Sequence, residues 1–185
     1  MEPITLRTDR LILRPPTGAD VDAVFEACQD PDIQRFTSVP SPYARTDAEE
    51  FIRLVTEWWA DGSQTVWTVY ENDILVGAVG LHHIDQGSAE LGYWAVAEHR
   101  GRGILGEASR AVTDWGFRTL GLARISWRAV AGNVPSARIA RSLGFRYEGM
   151  MRQAFMHGEH RDDGWIAGLL ASDDRAPVEW PVLPR

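Results

Sequence analysis

Hydrophobic spacing changes period several times along this chain, and each change marks an element. Arg10 to Arg14 reads as a short strand, ended by Pro15-Pro16. Thr17-Gly18-Ala19-Asp20 resembles a capping box and opens a helix with Val21, Val24, Phe25 and Cys28 on its apolar face. Asp30-Pro31 stops that helix, and residues 30–45, rich in proline and serine, read as a loop with one helical turn. Thr46-Asp47-Ala48-Glu49 is a full capping box. Its helix carries Phe51, Ile52, Val55, Trp58 and Trp59 and ends near Asp61-Gly62. Strands follow at 65–70, 74–82 and 89–96. Their short connections, with Asn, Asp and Gly, are those of antiparallel hairpins.

A glycine-arginine turn, Ala97-Glu98-His99-Arg100-Gly101-Arg102-Gly103, then joins the third strand to a helical stripe of Ile104, Leu105, Ala108, Ala111, Val112, Trp115 and Leu120. Gly121 is its natural C′ residue. Arg124 to Val130 is a strand, Asn133 to Leu143 a helix ended by Gly144, and 145–155 with 161–170 a last hairpin around His157-Gly158-Glu159. This order implies an α+β protein: a single mixed, mostly antiparallel sheet of six to seven strands flanked by about four helices. It is parallel where the long helix crosses over. One domain is expected over residues 1–172, and the proline-rich tail, 173–185, is expected to lie outside the core.

Composition narrows the class. With 185 residues, 44% apolar and 24% charged, the chain is long enough for a sizeable core and typical of a soluble protein. Met1 to Arg10 has no apolar signal-peptide segment, and Trp165 to Ala171 is too short to span a bilayer. The single cysteine, Cys28, sits on a helix's apolar face and allows no internal disulfide, consistent with a cytoplasmic protein. All 19 basic residues are arginine, and the net charge of −7 argues against nucleic acid as a partner. The charge is uneven. Residues 97–146 hold nine arginines against three acids (+6), and the remainder ten against 23 (−13). A basic segment that begins at the glycine turn suits an anionic ligand there and a cationic one elsewhere.

The turn itself has the makings of a phosphate cradle. Backbone N–H groups converge at a helix N-terminus, and glycine lets a ligand approach closely. Gly101-Arg102-Gly103-Ile104-Leu105-Gly106 also matches the dinucleotide fingerprint, but that fold needs further βα units and an acid about 20 residues on. Here that region is Arg124-Ile125-Ser126-Trp127-Arg128, without an acid.

Four stretches together resemble the Gcn5-related N-acetyltransferase superfamily, and within it the ribosomal-protein N-terminal acetyltransferase (RimJ/RimL-type) branch. They are Leu6-Arg7-Thr8-Asp9-Arg10-Leu11-Ile12-Leu13-Arg14-Pro15, then Gly92-Tyr93-Trp94 leading to Arg100 through Ala108. Asn133-Val134-Pro135-Ser136 with Leu143-Gly144-Phe145 and Glu148-Gly149 comes next, then Gly158, Asp163 and Leu169-Leu170. The resemblance implies an acetyl-CoA-dependent N-acetyltransferase acting on a primary amine, with acetyl-CoA as co-substrate, no metal, and a possible homodimer. It implies that Trp94, Ala95 and Val96 meet the pantetheine arm. His99, Arg100, Gly101, Arg102, Gly103, Ile104 and Gly106 would hold the pyrophosphate, and Asn133 and Ser136 would complete the coenzyme site. An acyl-CoA-binding sensor without turnover is the alternative, with a dinucleotide-binding module behind it.

Direct attack of an amine on the thioester needs a base and an acid. Glu90, on the strand face of Gly92, Trp94 and Val96, is the candidate base or a solvated strand carboxylate. Ser136 is the candidate acid for the leaving thiolate or a first-turn helix serine. Asn133 is the helix N-cap, with a pantetheine contact implied by the resemblance. His82 and His83 face opposite sides of a strand and read first as structural imidazoles, with one able to line the acceptor cleft. Asp163 reads equally as a structural or a catalytic acid. The acceptor is not encoded in any recognisable motif.

Overall fold

The elements assemble into one sheet. The computed structural model describes residues 1–183. Its strands are β1 (Leu6–Arg7), β2 (Ile12–Arg14), β3 (Thr65–Glu71), β4 (Ile74–Asp85), β5 (Ser88–Ala95), β6 (Arg124–Val130), β7 (Arg146–His157) and β8 (His160–Leu170). Its α-helices are α1 (Val21–Ala27), α2 (Pro31–Phe36), α3 (Arg45–Asp61), α4 (Ile104–Thr119) and α5 (Val134–Ser142). The strand order is β1-β2-β3-β4-β5-β6-β8-β7. Only β5 and β6, joined through α4, run parallel; every other neighbouring pair is antiparallel.

Local chemistry explains most boundaries. Asn72 and Asp73, at φ 51° and 63°, make the tight turn that returns β3 into β4. Asp30 both ends α1 and caps α2: its Oδ1 accepts from the N–H groups of Asp32 (2.9 Å) and Ile33 (3.0 Å), with Pro31 at the first helical position.

Alternation along the strands divides the apolar side chains between two layers. On one face α4 and α5 cover the main core: Ile104, Ala108, Val112, Ala137, Ala140 and Leu143 meet Val69, Val79, Leu81, Leu91, Ile125 and Leu169. On the other, Val21, Val24, Cys28, Ile33, Ala48 and Ile52 from α1, α2 and α3 meet Tyr70 and Leu75. The second half of α3 returns to the main core through Val55 and Trp59. Trp59 packs edge-on to Trp67 at 4.9 Å between ring centres, and Trp67 to Trp115 at 5.1 Å.

Four expectations change. The sheet has eight strands, not six to seven, and five helices flank it. β1 has only two residues, too few to show a period, and it exists because β2 offers it an edge. The helix expected to be capped by Thr46 is capped two residues earlier. Ala44 is its N-cap, and the Asp47 carboxylate reaches back to accept the Ala44 N–H at 2.7 Å. β4 runs on past residue 82 to Asp85 through an irregular step in its pairing with β5, where His83 sits at φ 51°. Finally, the tail is not outside the core. Trp180 and Leu183 are buried in it. Trp180 Nε1 donates to the Phe145 carbonyl at 3.0 Å, and its ring lies 5.5 Å from Trp127 and 5.7 Å from Tyr147. A proline-rich sequence still brings a large apolar ring wherever the sheet leaves a gap. Pro184 and Arg185 lie outside the described residues.

Trp180→Ala should therefore destabilise the fold by about 3–5 kcal/mol, the cost of emptying a buried tryptophan site. Denaturant unfolding of the purified variant measures it; a change below about 1 kcal/mol would show that the tail only rests on the surface.

Candidate active site

The parallel pair is incomplete. β5 and β6 are in register from Ser88↔Arg124 to Leu91↔Trp127, and there their pairing stops. Both strands continue. Gly92 to Ala95 stay bonded to β4, and Arg128 to Val130 to β8. The two strands thus part beyond Leu91 and Trp127, and each presents an unpaired backbone edge to the wedge between them. The Val96 N–H is taken by the Val76 carbonyl at 3.1 Å. Because backbone groups alternate in direction along a strand, those of Ala95 face the wedge. The side chains of Trp94 and Val96 pack with the smaller core.

The wedge points at the glycine turn. Gly101 (φ 73°) and Gly103 (φ 75°) are in the left-handed region, and Gly103 is the N-cap of α4. Among the described residues, no carbonyl or side-chain acceptor meets the N–H groups of Gly101, Arg102, Gly103, Ile104, Leu105 or Gly106. Six amides therefore gather unpartnered at the positive end of a 16-residue helix. A Cβ added at Gly101 or Gly106 would meet nothing within 4 Å, so the space above the cradle is open. This donor set fits a pyrophosphate. The side chains of Ile104 and Leu105 are buried beneath it.

The loop's arginines do a different job. Arg100 reaches Asp30 (2.7 Å) and Asp32 (3.0 Å) at the start of α2. Arg102 pairs with Glu71 at 2.7 Å and touches His99 Nδ1 at 2.9 Å. Arg10 binds the Arg102 carbonyl at 2.9 Å and Glu107 at 2.6 Å, and Thr8 also donates to Glu107. Burial alone would raise the Glu107 pKa, but the Thr8 and Arg10 donors outweigh it and hold the carboxyl below its ordinary value. The opening stretch of the chain is thus a buttress for the first turn of α4. Elsewhere in the basic segment Arg124, Arg128 and Arg146 pair with Glu148, Glu90 and Asp173. Much of its +6 is balanced by acids from the rest of the chain.

On the α5 side of the wedge, Asn133 caps the helix: its Oδ1 accepts the Ser136 N–H at 3.2 Å. Ser136 Oγ accepts from Trp127 Nε1 at 3.1 Å and donates to Tyr93 Oη at 3.2 Å. Tyr93 in turn donates to the Ser136 carbonyl at 2.9 Å. Burial pushes the Tyr93 phenol well above its ordinary pKa, against the Ser136 and Trp127 donors. On the opposite face stands Glu90, whose Oε2 takes both Nε (2.6 Å) and Nη2 (2.5 Å) of Arg128. Its other oxygen has no partner among the described residues. His82 is directly across from Glu90 in the β4–β5 register. Asp163 accepts the Gln153 N–H at 2.8 Å in the irregular part of β7, a structural bond. Glu90 and Ser136 thus stand on opposite faces, and the wedge is the passage between them. No site role for Tyr93, Trp127 or Arg128, and no buttress by Thr8 and Arg10, was read from the sequence. Trp127 meets Ser136 nine residues on, and the partners of the others lie 38 to 99 residues away, beyond the reach of local spacing.

A mixed sheet split beside an amide-lined helix start is the architecture of a coenzyme A-dependent acyltransferase. A family model described as acetyltransferase (GNAT) domain matches residues 10–146. The chain is 31% identical over 152 residues to an uncharacterized N-acetyltransferase, p20, of Bacillus licheniformis, covering 80% of this chain and 85% of that one. It is 28% identical over 114 residues to a ribosomal-protein-serine acetyltransferase of Escherichia coli (strain K12), covering 60% and 64%. Its fold matches the solved structure of RimL, a ribosomal L7/L12 α-N-protein acetyltransferase in complex with coenzyme A. The TM-score is 0.84 at 18% identity, covering 90% of this chain and 98% of that one. The chain belongs to the GNAT acetyltransferase family and is similar to its RimJ/RimL-type branch. It is an N-acetyltransferase. The single parallel pair among the described residues leaves no place for a dinucleotide fold. No helix among them is long and apolar enough to cross a membrane.

Gly103→Val places a β-branched residue at φ 75°, a strain of about 1–3 kcal/mol. Titration calorimetry should show coenzyme A binding weakened about 10- to 100-fold; an unchanged Kd would remove the turn from the coenzyme site.

The His82 imidazole has its pKa pushed down to about 4, by burial first and by its neighbour His83 second. The unfolded chain, with an ordinary histidine near 6.5, binds the proton first, so stability must fall as pH drops from about 6.5 to 4. Denaturant unfolding at pH 7 and 4.5 should show wild type losing about 2–3 kcal/mol more than His82→Leu. Equal losses would mean that the imidazole is freely hydrated.

Proposed function

We propose that this chain transfers the acetyl group of acetyl-CoA directly to a primary amine in the wedge between β5 and β6. The α-amine of a protein N-terminus or of a small amine is the favoured acceptor. The observation that carries this reading is the end of β5–β6 pairing at Leu91↔Trp127, from which the strands open past the Ser136 hydroxyl, held by Tyr93 and Trp127, toward the turn of the amide cradle at 101–106. Such an opening admits an extended acyl-pantetheine arm, hydrogen-bonded along the free edge at Ala95, with its phosphates on the cradle.

In this reading the amine enters from the face of Glu90 and attacks the thioester carbonyl. The C–N bond forms, the C–S bond breaks, and the thiolate leaves with the electron pair. The amine's proton passes through water to Glu90, Ser136 protonates the sulfur, and water carries a proton from Glu90 back to the Ser136 oxygen, restoring both groups. Trp127 supports that role by binding the Ser136 oxygen while leaving its hydroxyl hydrogen able to rotate toward the sulfur. The acceptor follows from energetics. Deprotonating a lysine-like amine at pH 7 costs about 4–5 kcal/mol, an α-amine only about 1 kcal/mol. A carboxylate already bound to Arg128 suits the easier task. The names of the ribosomal-protein relatives agree with an α-amine acceptor.

Thiol release from acetyl-CoA with a panel of peptides, amino acids, polyamines and aminoglycosides tests the reading. Binding of acetyl-CoA without thiol release for any amine would leave a non-catalytic acyl-CoA sensor. Ser136→Ala should lower kcat about 100-fold or more with acetyl-CoA affinity nearly intact, and Glu90→Gln should lower kcat/KM for the amine similarly. If both variants instead lose coenzyme binding in proportion, the two roles are wrongly assigned.

A further inference from the structure

Glu90 is not the only acceptor on its face of the sheet. Gly92 is the first residue of β5 beyond the last paired position, Leu91, and so stands at the narrow end of the wedge, where the strands part. The place its side chain would occupy is filled by an imidazole: a Cβ built on Gly92 would lie 2.8 Å from His82 Nε2 and 2.9 Å from its Cδ2. A Cβ on Gly80, level with Gly92 on β4, would lie 3.2 Å from the same nitrogen. Two facing glycines thus make room for the ring. His82 Nδ1 meets Gln64 Oε1 at 2.5 Å. An amide oxygen only accepts, so the proton is on Nδ1, and Nε2 carries the lone pair. No protein donor among the described residues reaches Nε2.

We propose that His82 is a catalytic residue of the acceptor site: held by Gln64 as its Nδ1–H tautomer, it accepts a hydrogen bond from the attacking amine at Nε2 and aims the nitrogen lone pair at the thioester. This rests on the acetyl-transfer reading above. The charges near the ring are His83 on its own strand and Glu90 with Arg128 across the register. The low pKa of about 4 supports the role, because the imidazole stays neutral, and Nε2 unprotonated, at neutral pH. His82 orients the amine; its proton still leaves through water to Glu90, and the thiolate is still protonated by Ser136, so the transfer balances as written above. Neutral imidazole accepts from the amine in either protonation state, and an ammonium must lose a proton before its lone pair reaches the thioester.

The test uses the full chain, acetyl-CoA and peptides with free N-terminal serine or alanine. His82→Leu keeps an apolar body over Gly80 and Gly92 and removes Nε2. It should lower kcat about 10- to 100-fold with coenzyme A affinity unchanged. Gln64→Leu should lower kcat less, and its imidazole ¹⁵N spectrum should gain the Nε2–H tautomer. In wild type saturated with coenzyme A, adding the peptide should shift the Nε2 resonance and leave Nδ1 nearly still; this readout does not depend on any variant folding. An active wild type with an equally active His82→Leu, or with an unshifted Nε2 resonance, overturns this inference alone. A wild type that binds acetyl-CoA and releases no thiol with any peptide overturns the transfer reading and this one with it.

Discussion

A strand edge and a helix start both leave backbone N–H and C=O groups without protein partners, and this fold sets one of each side by side. Beyond Leu91 and Trp127 the parallel strands stop bonding to one another although both continue. At Gly101 to Gly106 the amides of a turn and a helix start have no acceptor among the described residues. Everything else can be understood as keeping those two openings apart from collapse. β4 and β8 hold the outer edges of β5 and β6, so the strands diverge without unravelling. α4 and α5 close the face beneath. An unpaired strand edge and an unpaired helix start are costly alone; next to each other they form a groove with hydrogen-bond capacity along one wall and at one end. That is what an acylated phosphopantetheine chain requires.

The charge pattern has a mechanical meaning that composition alone does not convey. Arginines of the cradle bind carboxylates and not open space: Arg100 ties the turn to α2, and Arg102 ties it to the end of β3. Arg10, from before β2, binds both the Arg102 carbonyl and Glu107 in the first turn of α4. Such exposed pairs contribute little each to stability, about 0–1 kcal/mol. Their value here is geometric, because several converge on one turn and set its shape. α2 is held at its other end too, where Arg35 grips Asp162 of β8 at 2.8–2.9 Å beside His157. The segment from Asp30 to Phe36 thus spans from the cradle to the β7–β8 hairpin. Its Ile33 packs on the face of the sheet that carries Trp94 and Val96.

How much of this was readable in the chain differs by element. Gly62, Gly121 and Gly144, each at positive φ, end helices where glycine spacing places their ends. The strand–glycine turn–helix unit and the Asn133–Ser136 helix start are likewise local, and the structure keeps them where the residues suggested. The unreadable parts share one property: the partner is distant. Glu90 was visible as a carboxylate, but Arg128, 38 residues later, holds it. Tyr93 stood in one of the stretches that carry the resemblance, with no role of its own; Ser136, 43 residues on, ties it to the site. The tail looked detachable because proline argues against regular structure, and Trp180 is buried nonetheless.

The residues of this chain, read in order, specify its local geometry: period, caps, turns, and the glycines that open a backbone to a ligand. These follow from conformational preferences and spacing that act within a few residues. Tertiary structure alone decided where the sheet parts, which arginine neutralises which acid, and that His82 lies over Gly92 at the narrow end of the opening. Those depend on strand register and on pairings across the sheet, where one residue of slip would carry each side chain to the opposite face.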